Sequence, residues 1–223
     1  MSKEITLAFD VYGTLIDTNG VVNLLEKFIG NDAKSFSNTW RDKQLEYSFR
    51  RATMQNYVTF AKCTSQALDY TCMYYKKNLS SEQKTQLLNI YKVLPAFEEV
   101  KKALTTFKEK GFRLFAFSNG KKEAVENLLI NAQIKDFFTD VISVDDLKIF
   151  KPSPAVYAHF LRCAKVEGGE AWLISSNPFD VTGAVSAGLK SAWIQRSSDA
   201  IFDPWEIQPT IKANSLSELS NKI

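Results

Sequence analysis

The chain has 223 residues, of which 45% are hydrophobic and 24% charged. This composition is typical of a folded globular protein and excludes a disordered chain, and the length fits one domain or a core with a smaller inserted domain. The formal net charge of +3 is spread along the chain without a long basic cluster, so no nucleic-acid partner is expected.

The chain opens with a short apolar segment, residues 5–9, which is followed at once by Asp10. This pattern predicts a buried strand with an acid at its carboxyl end, and Gly13 then permits a sharp turn. The next region has apolar residues at helical spacing throughout. It predicts helices over residues 21–28, 36–51, 56–76 and 82–93, and Ser81 is expected to be the N-cap of the last of them.

After Pro95 the pattern changes to an alternation of strands and helices. The predicted strands cover residues 112–117, 141–144, 171–175 and 191–195. The predicted helices cover residues 97–110, closed by Gly111, then a helix from Lys121, one after Pro154, one over 179–187 and a last one from Ser215.

This order of elements predicts an α/β fold, with a doubly wound parallel sheet that is Rossmann-like and has helices on both faces. The four helices after the first strand have no place in such a sheet, so they predict an inserted helical cap domain. We expect residues 1–16 and 97–223 to form the core and residues 17–96 to form the cap.

The three cysteines, Cys63, Cys72 and Cys163, make no Cys-x-x-Cys pair, which argues against a disulfide framework and a zinc site. Reduced thiols are typical of a cytoplasmic protein. No signal peptide is visible, and no apolar stretch approaches the roughly 20 residues that cross a membrane. We therefore expect a cytoplasmic protein with no membrane partner.

Polar side chains follow each of the predicted strands, and the carboxyl ends of parallel strands are where ligands bind in such sheets. Taken alone, each has an ordinary explanation, since acids form turns, serine and asparagine cap helices, and lysine is usually solvated. Their convergence on one edge favours a site instead. The segments are Asp10, Ser118-Asn119-Gly120, Lys151-Pro152, and Ser175-Ser176-Asn177 with Asp180.

These segments resemble the motifs of a known family. The stretch from Phe9 to Asp17 is similar to the first motif of the haloacid dehalogenase superfamily, and the other three segments resemble its second, third and fourth motifs in order. Outside the shared core, the stretch from Trp40 to Tyr47 resembles the cap-helix motif of the L-2-haloacid dehalogenase branch. The stretches 151–157 and 175–184 also resemble that branch, so the likeness spans nearly the whole chain.

The resemblance implies a hydrolase that removes halide from a small 2-haloacid. Asp10 would attack the carbon that carries the halogen, inverting it, and water would then hydrolyse the resulting ester. The family implies catalytic roles for Asp10, Lys151, Asp180, Arg41, Ser175, Asn177, Thr14 and Tyr157. In these roles Lys151 keeps the nucleophile charged, Tyr157 holds the lysine, and Thr14 supports the Asp10 loop, while Asp180 acts on water with Ser175 and Asn177.

The resemblance also implies how the substrate is held. Its carboxylate would bind Ser118 and the backbone N–H groups near Val11 and Tyr12. The halide would bind Arg41 and Asn119, and an apolar wall would come from Tyr12, Leu45, Phe60 and Phe179. The chain departs from the family at Asp42, where glutamine occurs, and at Phe179, where tryptophan is common. A homodimer is a further family expectation.

Two other functions remain open from the residues. A Mg²⁺-dependent phosphatase of the same superfamily carries a second aspartate where this chain has Tyr12, and an acid at the start of the fourth motif, where this chain reads Ser175 to Asn177. A phenol is a poor general acid, and Mg²⁺ prefers anionic oxygen ligands, so we expect no metal and no cofactor. A non-catalytic binding protein is disfavoured because both Asp10 and Lys151 are retained.

Overall fold

The computed structural model describes residues 5–223 and contains one six-stranded sheet in that range. All the strands are parallel, and their order is β3-β2-β1-β4-β5-β6. The strands are β1 (Thr6–Phe9), β2 (Arg113–Ser118), β3 (Asp140–Ser143), β4 (Ala171–Ser175), β5 (Lys190–Ile194) and β6 (Ile211–Ala213). The order is that of a doubly wound sheet, so the predicted fold class is confirmed. The first four residues of the predicted core lie outside the described range.

Alternate residues of the central strands face two separate hydrophobic layers. Leu7 and Phe9 of β1 belong to one layer, whereas Ala8 between them belongs to the other. Successive side chains of a strand point to opposite faces, so a strand that is buried on both sides reads as a continuous apolar run. The edge strand β6 was not predicted, because three residues are too few to show a pattern.

The helices lie close to the predicted positions. Those of the cap are α1 (Asn19–Ile29), α2 (Ala33–Thr53), α3 (Phe60–Tyr74) and α4 (Ser81–Ile90). Those around the sheet are α5 (Val100–Glu109), α6 (Lys122–Asn131), α7 (Pro154–Ala164), α8 (Pro178–Ser186) and α9 (Leu216–Ser220). No helix between residues 5 and 223 combines the length and hydropathy that a bilayer crossing requires.

Several helix starts differ from the sequence prediction by one to four residues, and N-capping explains two of them. The helix expected from residue 56 begins at Phe60, because the Thr59 hydroxyl caps it by accepting from the Lys62 N–H. The expected N-cap Ser81 is wrong, since Ser80 fills that position and forms a capping box with Gln83. With two adjacent serines, only the backbone conformation decides which one caps the helix.

The cap packs on itself and on the core through aromatic residues. The buried Trp40 of α2 donates its indole N–H to the Thr64 carbonyl of α3 over 2.8 Å. Tyr57, just before α3, stacks on Phe150 of the core with ring centroids 5.1 Å apart, and its hydroxyl donates to Asp145. The cap is therefore held against the segment that immediately precedes Lys151.

The chain passes from the core to the cap near residue 16 and returns near residue 96, and backbone hydrogen bonds join these two segments. The Asp17 N–H donates to the Pro95 carbonyl over 2.9 Å, and the Phe97 N–H donates to the Leu15 carbonyl over 3.0 Å. Arg196 donates to the Thr14 carbonyl beside them and pairs with Glu99. The division at residues 16/17 and 96/97 stays a prediction, and these paired crossings support it.

Candidate active site

Asp10 stands at the carboxyl end of β1, where the chain turns sharply. Its backbone N–H donates to the Ile174 carbonyl of β4 over 2.9 Å, which ties the residue to the neighbouring strand. Gly13 then adopts a φ of +79°, a backbone conformation that residues other than glycine rarely take. The turn brings Thr14 back, and its hydroxyl donates to Asp10 Oδ2 over 2.9 Å. The carboxylate is consequently fixed in one orientation, with 14% of its side chain exposed.

The ammonium group of Lys151 is buried between two carboxylates. It donates to Asp180 Oδ2 over 2.7 Å, to Asp10 Oδ1 over 3.2 Å and to the Phe117 carbonyl over 2.9 Å, so all three of its hydrogens have acceptors. Burial alone would lower the pKa of Lys151, but the charges of Asp180 and Asp10 outweigh it and raise the pKa above its ordinary value. The group therefore remains a cation at neutral pH.

Tyr157 reaches Asp180 and not the lysine. Its hydroxyl donates to Asp180 Oδ1 over 2.8 Å and lies 3.1 Å from the Asp180 carbonyl oxygen. Tyr157 thus holds Lys151 only through Asp180, an intermediary that the sequence did not indicate. Asp180 itself is fully buried with a hydrogen bond to each carboxylate oxygen, and its expected action on water stays a prediction.

The fourth motif touches Asp10 through Asn177. The Asn177 amide donates to Asp10 Oδ2 over 2.8 Å, and the Asn177 N–H donates to the Ser175 hydroxyl over 3.1 Å. Ser176, which the sequence analysis did not single out as a site residue, donates its backbone N–H to the Thr14 hydroxyl over 2.9 Å. Its place between two motif residues was the signal that could have found it.

Arg41 of the cap helix α2 connects the cap with the core. One of its terminal nitrogens donates to Asn177 Oδ1 over 3.3 Å, and the other donates to Gln44 Oε1 over 2.6 Å. Gln44 is buried and donates in turn to the Thr64 hydroxyl of α3. Sequence analysis missed Gln44, although its position three residues after Arg41 puts both side chains on one helix face.

The second motif lies on the other side of Lys151. The Asn119 side-chain oxygen accepts the Lys151 backbone N–H over 3.0 Å, so its amide nitrogen is the group that remains as a donor to a ligand. The Ser118 hydroxyl accepts the Gly120 N–H over 3.1 Å. The Val11 carbonyl accepts three amides of the turn, and the roles of the Val11 and Tyr12 N–H groups stay predictions.

A cavity of about 430 Å³ opens beside these residues, between the cap and the start of α6. Three of the residues that were predicted to contact the substrate line it, namely Tyr12, Arg41 and Phe60. The other five do not, namely Val11, Leu45, Ser118, Asn119 and Phe179. Phe179 instead packs against Phe49 with ring centroids 5.1 Å apart. Substrate contacts of Leu45 and Phe179 stay predictions.

The structure bears on the phosphatase alternative through Tyr12 and on anion binding through Asp42. Burial raises the pKa of Tyr12 to about 12, so its phenol is no general acid near neutral pH. Asp42 is exposed and does not line the cavity, and it therefore does not oppose an anion there. Within residues 5–223 no three histidine, cysteine, aspartate or glutamate side chains are grouped as a metal site requires.

Comparison with known proteins gives one consistent picture. The family model for haloacid dehalogenase-like hydrolases matches residues 6–188. The chain is 36% identical to haloacetate dehalogenase H-2 of Moraxella sp. (strain B), over 88% of each protein. It is 34% identical to an (S)-2-haloacid dehalogenase of Pseudomonas fluorescens, over 96% of this chain and 93% of that protein.

A solved structure is also similar over nearly the whole chain. It is the L-2-haloacid dehalogenase from Xanthobacter autotrophicus with chloropropionic acid covalently bound, which has a TM-score of 0.88 and 28% identity. The match covers 98% of this chain and 97% of that one. The similarity therefore includes the cap as well as the sheet.

Proposed function

This chain belongs to the haloacid dehalogenase-like hydrolase family, and from that premise we propose that it is an (S)-2-haloacid dehalogenase. Its substrates are small 2-haloalkanoic acids, and its products are halide and the inverted 2-hydroxy acid. The observation that supports this most directly is the setting of Asp10, whose carboxylate is oriented by Thr14 and Asn177 and balanced by the buried Lys151 ammonium.

The first step forms a bond between Asp10 and the substrate carbon. Asp10 Oδ2 already accepts two hydrogen bonds, whereas Oδ1 has one longer contact with Lys151, so Oδ1 is the more available nucleophile. It attacks the carbon opposite the halogen, the carbon–halogen bond breaks, and the halide leaves with the electron pair. Holding both reactants in line removes much of the entropic barrier.

The second step breaks the ester. Water adds to the Asp10 carbonyl carbon, and the bond from that carbon to the ester oxygen then breaks. The hydroxy acid leaves with the oxygen that Asp10 supplied, and the carboxylate is restored with an oxygen from water. We assign the action on water to Asp180 with Ser175 and Asn177, and Lys151 with nearby donors stabilises the oxyanion that forms.

The ligand groups are held by the cap and by the second motif. Arg41 and the Asn119 amide receive the halide, because a guanidinium is a weakly hydrated cation that suits a large anion. Ser118 and the turn amides at Val11 and Tyr12 receive the substrate carboxylate. Tyr12, Leu45, Phe60 and Phe179 surround the apolar part, and Tyr157 fixes Lys151 through Asp180.

The reaction as we propose it requires no metal ion. The Lys151 ammonium lies between Asp10 and Asp180 and supplies the positive charge there. Halide leaves without a proton, so no general acid is required, in keeping with the raised pKa of Tyr12. A Mg²⁺-dependent phosphatase would instead lose activity in EDTA and release phosphate from phosphomonoesters, which separates the two functions.

We also propose a cytoplasmic homodimer. The three cysteines are all free thiols, which fits a reducing compartment. Met73 and Tyr74 at the end of α3 are largely exposed, with 72% and 64% of their surface open, and offer an apolar surface for a second copy. Sedimentation at micromolar concentration tests the dimer, and a single monomer boundary would contradict it.

The decisive experiment is a single turnover with (S)-2-chloropropionate in heavy-oxygen water, with enzyme in excess. The expected result is label in the peptide that contains Asp10 and unlabelled hydroxy acid as first product. Label in the first product with an unlabelled Asp10 would rule out the ester route. The Asp10→Asn variant serves as control and should release no halide on the time scale of one wild-type turnover.

A further inference from the structure

The cavity beside Asp10 extends away from the reacting groups. Neither Asp10 nor Lys151 lines it, whereas Tyr12 and Arg41 do, and Arg41 also donates to Asn177 beside Asp10, so the cavity adjoins the reacting groups without including them. Its volume of about 430 Å³ falls within the roughly 300–1,000 Å³ of pockets that hold larger ligands. A six-atom substrate such as chloropropionate takes up below about 200 Å³ at roughly 30 Å³ per water-sized group. Most of the cavity is thus unused by a small haloacid.

The cavity lining combines apolar side chains with two lysines. Phe60, Leu88 and Tyr91 supply apolar surface beside the polar side chains of Gln44 and Thr64. Lys92, which follows α4, and Lys121, at the start of α6, are both exposed and so lie at the open side of the cavity, its rim. The lining contains no aspartate or glutamate, so the positive charge of the rim is not balanced within the cavity.

The two lysines are not engaged by carboxylates at the rim. Lys92 donates to Asn89, another lining residue, over 2.7 Å. Lys121 makes no ion pair within 4 Å with any residue between 5 and 223, although its charge acts on Asp145, which also pairs with Lys148, and the adjacent Lys122 pairs with Asp140 at 2.6 Å. One lysine comes from the cap and the other from the core, so an anion at the rim would attract both.

We propose that this cavity binds an extended C2 substituent with an anionic far end, so that the enzyme prefers 2-halodicarboxylates with several methylene groups between the two acids. The proposal rests on the dehalogenase function proposed above and names the substrate class of the same site. The halogenated carbon stays at Asp10, the methylene chain lies along Phe60, Leu88 and Tyr91, and the second carboxylate lies at Lys92 and Lys121.

The fit of one such substrate can be estimated from volumes. In 2-bromooctanedioate the C2 substituent has six carbons and two oxygens, which take about 240 Å³ at roughly 30 Å³ per water-sized group. That is well within the cavity. Each buried methylene should raise kcat/KM by about threefold to fourfold, and the exposed ion pairs at the rim should together add about threefold to tenfold.

The test compares three (S)-substrates by halide release at low ionic strength: 2-bromopropanoate, 2-bromooctanoate and 2-bromooctanedioate. We expect kcat/KM to rise at least about a hundredfold from the first to the second, which differ by five methylenes, and about threefold to tenfold from the second to the third. The last increase should disappear at 0.5 M salt, since exposed charges are screened. Equal values for the first two substrates, or for the last two, would overturn the proposal.

Variants test the role of the rim. In the double variant Lys92→Met/Lys121→Met, the ratio of the octanedioate to the octanoate kcat/KM should fall to about one. Lys122→Met is the matched control, because it removes a neighbouring lysine that does not line the cavity, and it should leave the ratio as in the wild type. An unchanged ratio in the double variant would also overturn the proposal.

The outcome separates this inference from the proposed function. If 2-bromopropanoate is dehalogenated but neither longer substrate is, the cavity does not bind the substituent and the dehalogenase function stands. If none of the three substrates releases bromide, the proposed function itself fails.

Discussion

Asn177 donates its side-chain amide to Asp10 Oδ2 over 2.8 Å, one of the two hydrogen bonds that this oxygen accepts. The same amide accepts from Arg41 of the cap over 3.3 Å. One asparagine therefore connects Asp10 with the cap arginine. The contact also explains why an amide, and not an acid, stands at this position.

We expect Asn177→Asp to lower kcat by about a hundredfold or more, because a donor is lost and a second negative charge faces Asp10. Asn177→Ala loses the donor without adding the charge, so its kcat should lie between the kcat of Asn177→Asp and that of the wild type. Steady-state bromide release from 2-bromopropanoate measures both. Equal kcat values for the two variants would show that the charge has no effect.

Gln44 is predicted to position Arg41 for the halide. Replacing it by leucine removes the acceptor that holds one guanidinium nitrogen at 2.6 Å, so the arginine becomes mobile. We expect kcat/KM to fall about threefold to tenfold and product inhibition by bromide to weaken, a change that a purely structural role would not produce. The matched control is Gln66→Leu, since Gln66 accepts from Arg51 on the cap surface, and it should leave bromide inhibition unchanged.

Removal of Lys151 should destabilise the fold strongly. Lys151→Met leaves the carboxylates of Asp10 and Asp180 without their buried counter-ion, a loss that typically costs about 3–5 kcal/mol. The double variant Lys151→Met/Asp180→Asn removes one of the unpaired charges and should recover part of that free energy of unfolding. Urea titration of both variants at pH 7 measures the difference. A double variant less stable than Lys151→Met would contradict the role of Lys151 as the buried counter-ion of Asp180.

The contact between Tyr57 and Asp145 should depend on pH in a defined direction. Burial alone would raise the pKa of Asp145, but hydrogen bonds from Tyr57 and Lys148 outweigh it and hold the pKa below its ordinary value. A lowered pKa means that the stabilisation is complete above the unfolded-state value of about 4 and is lost as the pH falls through the lower folded value. Asp145→Asn should thus lower the melting temperature by a constant amount from pH 5 to 8.

As the pH falls from about 4 through the lowered folded-state pKa of Asp145, the melting temperatures should converge, since the wild-type carboxylate then becomes protonated. Tyr57→Phe retains the stacking on Phe150 but loses the hydroxyl, and it serves as the matched variant. Its effect should also be largest near neutral pH. A difference that grows in acid would contradict the lowered pKa of Asp145.

Gly183 should not tolerate a side chain. An added Cβ would lie 2.5 Å from the Tyr157 hydroxyl and 2.6 Å from Pro152 Cβ, so α7 and α8 would have to separate. We expect Gly183→Ala to cost about 1–3 kcal/mol of stability and to lower kcat, because Tyr157 would lose its hold on Asp180. Gly169→Ala, where an added Cβ meets no atom within 4 Å, is the control and should change neither.

The sequence alone determined the fold class and predicted which polar segments meet at one edge of the sheet. Strand-helix alternation after Pro95 and the helical run before it follow from local periodicity, and a local pattern is visible in the chain itself. The motifs at the strand ends converge because parallel strands end at one edge of the sheet. The meeting of Asp10, Lys151 and Asp180 could therefore be expected from the sequence. Short elements such as β6 were beyond reach, because three residues carry too little pattern.

Only the tertiary structure decided which partner each polar group takes. Tyr157 holds Asp180, Gln44 holds Arg41 and Ser176 supports Thr14. Each of these contacts is a hydrogen bond of about 3 Å, and two of them join segments far apart in sequence. A shift of one ångström would change those partners without altering any helical or strand pattern. The size of the cavity and the charge of its rim likewise arise where cap and core meet, and the spacing of residues along a chain does not encode that distance.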